Sequence, residues 1–150
     1  MGQVRVTSGT GSARVGRVFA RGIILTVALF YAYGALVHVM NMTSLTGFDW
    51  VSAPMKWRVL DIVYLMLDIA VVAGLVLKKR FGLIAFFAAA LSQIVLYTAF
   101  RSWIVDVPTP FQRSAEQIAY LDTLVLFHLV TIVAVVIAII IHRTTGLQKQ

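Results

Sequence analysis

Four long apolar runs, broken by short stretches that hold the charges and prolines, set the pattern of this chain. They cover residues 22–41, 58–77, 81–100 and 118–141. Each reaches the ~20 residues that an α-helix needs to cross the hydrocarbon core of a bilayer. None has the broad polar face of a water-soluble amphipathic helix. The turn Lys78-Lys79-Arg80 is so tight that the second and third helices must form an antiparallel hairpin. The other two connections are longer and hold Trp50, Trp57 and Trp103 together with Pro54, Pro108 and Pro110. Pro54 suits the first turn of the second helix, and Ser114-Ala115-Glu116-Gln117 has the spacing of a capping box that opens the fourth. The pattern predicts an all-α fold, a four-transmembrane-helix bundle over 22–141. A basic flexible arm over 1–21 precedes it and a tail over 142–150 follows.

Composition supports this reading and charge gives it a direction. The chain is 60% hydrophobic and 13% charged, too apolar for a soluble domain of 150 residues. Nine of the thirteen Lys and Arg lie in the arm, the Lys78 turn or the tail. Lys56, Arg58, Arg101 and Arg113 share the opposite side with Asp49, Asp106 and Glu116. The excess of positive charge predicts that both termini are cytoplasmic, N-in and C-in, in a cell (inner) membrane. It also argues against a dual-topology dimer. Because the basic residues flank apolar runs, anionic headgroups are the expected partner of the +7 charge, and nucleic acid is not. Cysteine is absent, which excludes disulfides, thiol redox chemistry and thiolate metal sites. The arm resembles the n-region of a signal peptide, with Ala32-Tyr33-Gly34 as a small-x-small site, and it has the composition of a transit peptide. The apolar run continues past that site to Met40, which favours a surface arm that is kept. Leu60-Asp61 and Leu121-Asp122 echo each other near the starts of two helices, but the helices around them do not align.

Ionisable residues inside a span are costly and are functional candidates by default. At 1.5 Å per residue, His38, Asp61, Tyr97 and Asp122 fall in one layer roughly 10–12 Å outward of the midplane. Asp68, Gln93, His128 and Tyr31 form a second layer within about 5 Å of it. The inner half is almost free of polar groups. The result is a polar pocket open to the outer face, to which all four helices contribute. Asp61, Tyr64 and Asp68 share one face of the second helix; Tyr31, Gly34 and His38 share one face of the first. Asp122 and His128 stand about 120° apart on the fourth. Plain structural roles compete with this: Asp61 paired with Arg58 one turn earlier, His38 bonded to headgroups or loop backbone, and His128 as an interhelical hydrogen bonder. Asp68, at mid-membrane, requires a proton or a partner, and His128 is the expected one.

Several chemistries use such groups. Haem between His38 and His128 is disfavoured, since their depths differ by about 9 Å. A divalent metal on His38, Asp61 and Asp122 has suitable ligand types but no diagnostic spacing. A quinone site would use His38 and Tyr97 as donors, Asp61 and Asp68 as proton relays, with Gln93 and Asp122 also in the pocket wall. Proton-coupled transport by an oligomer would make Asp68 the carrier acid and His128 its partner. A structural accessory subunit of a larger membrane complex would need no chemistry, its outer loop around Phe48, Trp50 and Trp57 serving as a docking surface or interfacial anchor.

The segment Gly34-Ala35-Leu36-Val37-His38 near the close of the first span resembles the DoxX-like family of small four-helix membrane proteins. So does Gly74-Leu75-Val76-Leu77 before the basic turn. The resemblance covers about residues 20–100 and implies a quinone-linked or redox-accessory role, since the family includes a subunit of a thiosulfate:quinone oxidoreductase. It carries over no catalytic residue. The expectation is a small redox-linked membrane protein or subunit in which Asp68 and His128 act chemically and His38, Asp61, Tyr97, Asp122 and Gln93 bind the cofactor.

Overall fold

A computed structural model describes residues 9–147. All regular structure among them is helical: α1 (Gly9–Met42), α2 (Met55–Val76), α3 (Arg80–Thr98), α4 (Arg101–Val105) and α5 (Ala115–Leu147). Helices α1, α2, α3 and α5 are long and apolar enough to cross a bilayer, so this is a multi-pass membrane protein. Large apolar side chains such as Leu29, Ile84, Val133 and Ile140 point outward from the bundle, where lipid is their solvent.

The connections follow from local chemistry. At the end of α2 the Lys79 N–H donates to Gly74 O at 2.8 Å and the Lys78 N–H to Leu75 O at 3.3 Å, the paired bonds of a Schellman turn. Lys78 takes φ 57°, a left-handed conformation that costs a β-carbon-bearing residue roughly 1 kcal/mol. From α1, the Arg21 guanidinium offsets this by donating to Leu75 O at 2.8 Å and Val76 O at 2.9 Å, placing a cation on orphan carbonyls at a helix C-terminus. The hairpin closes because Gly74 and Gly82 lie backbone to backbone; a Cβ on either would overlap the other. At the other end Ser114 N–H donates to Gln117 Oε1 at 3.0 Å and Gln117 N–H to Ser114 Oγ at 3.2 Å, a reciprocal capping box that opens α5.

Two features depart from the expected outline. Helix α1 starts at Gly9, so residues 9–21 of the predicted flexible arm are helical; residues 1–8 and, in the tail, 148–150 lie outside the described residues. The reason is packing. Ala13 and Ala20 are buried, and Gly16 sits against Thr145 and Ile141, so small residues on α1 let α5 approach closely. The start of α1 therefore lies beside the end of α5. The second is α4, a five-residue helix in the last long loop that periodicity does not announce. It is strapped to α2 by Lys56, which donates to the carbonyls of Trp103 and Asp106, and by Trp57 Nε1, which donates to Ile104 O at 2.9 Å.

The core occupies the half of the bundle nearer the termini. Val27, Ala28, Tyr31, Val71, Leu75, Phe86, Ala89, Ala90 and Val135 form one buried cluster drawn from all four long helices. In lipid such a cluster is held by dispersion and close fit rather than by escape from water. Its consequence for function is positional: it plugs one half of the bundle and leaves the polar groups in the other.

Candidate functional site

Above the core the four long helices diverge around a cavity of about 740 Å³, within the range of small-molecule sites. Its wall combines aromatic and aliphatic side chains with a few polar ones: His38 and Asn41 from α1, Asp61, Tyr64 and Asp68 from α2, Gln93 and Tyr97 from α3, and Gln117, Thr123 and His128 from α5.

The centre of the polar wall is His38. Its Nδ1 lies 2.7 Å from Asp61 Oδ1 and its Nε2 lies 4.0 Å from Asp68 Oδ2, so one imidazole stands between two carboxylates of the neighbouring helix. The short contact is a charge-assisted hydrogen bond in which Nδ1–H donates to Asp61. The 4.0 Å separation is too long for a direct bond and leaves Nε2 room to take or give a proton on the cavity side. Stacking on Tyr64, with ring centroids 6.3 Å apart and planes 19° from parallel, fixes the imidazole plane. The Tyr64 hydroxyl in turn donates to Ser92 Oγ at 3.3 Å on α3. Asp68 is buried at the cavity wall, and its Oδ1 has no hydrogen-bond partner among the described residues. Oδ2 passes over Gly34, where a Cβ would stand 2.6 Å from it, so the glycine makes the space that the carboxylate uses. Gly34 and His38, one turn apart on α1, thus shape the site together.

A second polar cluster lies deeper and is closed on itself. His128 Nε2–H donates to Gln93 Oε1 at 2.9 Å, and the Tyr31 hydroxyl stands 3.5 Å from His128 Nδ1. Three helices are tied by one triad, and His128 is almost fully buried. This corrects the expected Asp68–His128 pair: the imidazole that approaches Asp68 is His38, because α1 rather than α5 packs on that face of α2. With both ring nitrogens of His128 engaged, bis-histidine ligation of a haem with His38 has no free ligand on the α5 side.

Two further expectations change. Asp122 does not line the cavity. The Arg101 guanidinium grips it through both Nη atoms, Nη2 at 3.0 Å from Oδ2, and Arg101 also bonds Ile118 O. Asp122 thereby anchors α4 to α5 at the protein surface. The ligand set His38, Asp61 and Asp122 does not converge, and among the described residues no three His, Cys, Asp or Glu stand together as a metal site. The other is Asp61, which bonds His38 rather than Arg58; the Arg58 guanidinium lies over the Trp50 ring instead, 5.9 Å from its centroid. The likeness of Leu60-Asp61 to Leu121-Asp122 therefore ends at the sequence, since one acid faces inward and the other outward.

The end of the cavity away from the termini, expected to be an open mouth, is roofed by residues that read as loop chemistry in the sequence. Phe48, Trp57 and Phe111 meet edge to face or tilted at centroid distances of 6.1 to 6.3 Å. The Arg113 guanidinium lies 4.6 Å from the Trp57 ring and 5.7 Å from that of Phe48. Burial against these rings lowers the Arg113 guanidinium below its ordinary value, and the charge of Asp61 acts in the opposite sense. An arginine close enough to feel Asp61 places a fixed positive charge above the His38 site. In the sequence Arg113 is only one of the charges on the side away from the termini, and nothing in its local spacing marks it as a roof.

No known protein family, curated protein or solved structure matches this chain. The resemblance to the DoxX-like family accordingly rests on the quoted segments alone.

Proposed function

We propose that the protein binds a lipid-soluble quinone in the outer cavity and exchanges protons with it through His38. The observation that carries this reading is the His38 imidazole held by Asp61 and facing both Asp68 and a largely apolar, aromatic-lined cavity. A quinone needs a flat apolar slot, a hydrogen-bond donor at a carbonyl oxygen, and a route for protons when it is reduced or its hydroquinone oxidised. Tyr64, Trp57 and Tyr97 supply the slot. His38 Nε2 supplies or accepts the proton, Asp61 orients the ring, and Asp68 is the adjoining acid. The electrons come from or go to a partner protein, which fits a redox-linked subunit and agrees with what the DoxX-like resemblance implies.

The positive residues set the direction. Arg14, Arg17 and Arg21 on α1, the Lys78 turn and Arg143 on α5 gather at the termini end, which supports a reading with both termini in the cytoplasm below an inner membrane and the His38 end of the bundle outward.

The same geometry weighs against the other readings. Proton-coupled transport needs a path past the cavity floor, and within one chain the buried cluster from Val27 to Val135 fills it, so an oligomer would have to supply that path between copies. A subunit present only for packing has no use for a buried acid with an unpartnered oxygen.

Trp57 lines the cavity and so reports on its occupant. Titrating the protein in nanodiscs with decylubiquinone is expected to quench tryptophan fluorescence saturably, with most of the quench lost in Trp57→Phe. Quenching that rises linearly without saturation would show only partition into the bilayer and would sink the proposal.

A further inference from the structure

The walls of the cavity are not closed toward lipid. On the α1–α5 side, Phe30, Tyr33 and Tyr120 line it while remaining 50%, 66% and 59% exposed, so the space between these helices opens sideways. The cause is visible in the packing. At the termini end α1 and α5 touch closely, with Gly16 against Thr145, and Phe30 meets Phe127 edge to face at 5.4 Å. Beyond that pair Tyr33 of α1 and Tyr120 of α5 border the cavity.

A second, apolar depression of about 430 Å³ begins where the first ends. It runs down the outside of the same seam, between Phe19, Gly22 and Thr26 of α1 and Val130 and Ala134 of α5, and Phe30 belongs to both spaces. From Phe30 to Phe19 the groove follows α1 for about 16 Å. Its surroundings are lipid-facing, with Phe19 60% and Val130 58% exposed.

Resting on the quinone reading, we infer that the ligand of this site is a tailed amphiphile that enters sideways from the bilayer between α1 and α5. Its ring reaches His38 and its hydrocarbon tail lies in the groove from Phe30 toward Phe19. A head site joined through one shared phenylalanine to an apolar groove on the lipid face fits a molecule with a polar ring at one end and a tail at the other. At the end away from the termini Phe48, Trp57, Phe111 and Arg113 lie across the cavity, which leaves the gap between α1 and α5 as its lipid-facing side. The ring enters beside the exposed Tyr33 and Tyr120, and the groove sets how much the tail contributes to affinity.

Gly22 offers a clean way to fill the groove, since a Cβ there meets nothing within 4 Å. Gly22→Phe, and Gly22→Phe combined with Ala134→Phe, are to be compared with wild type in nanodiscs using two probes. These are decylubiquinone and the same dimethoxy-methyl-benzoquinone ring without a tail. Reading each probe as a ratio of variant to wild type cancels its partition into lipid, and an unchanged unfolding midpoint shows that the fold is kept. Decylubiquinone affinity is expected to fall about tenfold, which is ~1.4 kcal/mol, while the tail-less ring stays within about twofold. If both probes bind the variants as they bind wild type, the groove holds annular lipid only and the inference fails while the quinone site stands. If both weaken equally, the tail does not use the groove and the inference again fails. If neither probe binds wild type, the quinone reading itself is wrong and the inference falls with it.

Discussion

Gly82→Val is expected to open the α2–α3 hairpin and to be the most damaging single substitution in the bundle. A Cβ at Gly82 would overlap the backbone of Gly74 and Leu75, and backbone, unlike a side-chain tip, has no alternative rotamer to move into. The helices must separate, which undoes the packing of Phe86 and Leu75 in the buried cluster and draws Arg21 off the α2 carbonyls. Overpacking ordinarily costs ~1–3 kcal/mol; with two branches pressed on a backbone the cost lies at or above the top of that range. Gly22→Ala is the control. It meets open space, and in a helix interior alanine is better than glycine by about 1 kcal/mol, so that variant is stabilised. Thermal unfolding in mild detergent, followed by circular dichroism, reads both. Equal midpoints for the two variants would mean that the Gly74–Gly82 contact does not hold the hairpin.

The second large effect separates the two acids of the site by sign. His38→Leu removes the donor that satisfies Asp61, stranding a buried carboxylate, and should destabilise the fold by about 2–4 kcal/mol. Asp68→Asn takes away the charge of a buried acid whose Oδ1 has no partner and should leave stability unchanged or raise it. Both are expected to weaken decylubiquinone binding tenfold or more, because each removes a member of the proton-exchanging group. The diagnostic result is Asp68→Asn, folded as well as wild type yet poor at binding. Wild-type binding in that variant would remove Asp68 from the site and leave His38 and Asp61 as a structural pair.

How much of this the sequence carried depends on the range over which each feature is encoded. The four helices, the basic hairpin turn and the capping box at Ser114 and Gln117 are local, and their periodicity and spacing are visible in single segments. Depth is also nearly local, since the rise per residue is fixed. His38 and Asp61, expected in one layer, do meet at 2.7 Å, and Gln93 and His128, expected in the other, meet at 2.9 Å. Rotation about a helix axis is not local. The 120° between Asp122 and His128 was readable, but which of them faces inward is decided by α4, where Arg101 draws Asp122 to the surface. The swap of His38 for His128 as the neighbour of Asp68 has the same origin, in which helix packs on that face of α2. Residues 9–21 are helical for a reason that their composition does not carry. Gly, Ser, Thr and Arg are the composition of a flexible arm, yet Ala13, Gly16 and Ala20 form a small-residue edge whose value appears only once α5 lies against it.

The quinone site is the claim on which the rest depends, and native mass spectrometry of the protein released gently from its own membrane tests it most directly. The expected result is a population carrying the added mass of a membrane quinone, which ion activation strips to give the bare chain. A chain that emerges bare, or with other subunits and no small molecule, would contradict it and would shift the search for function to those partners.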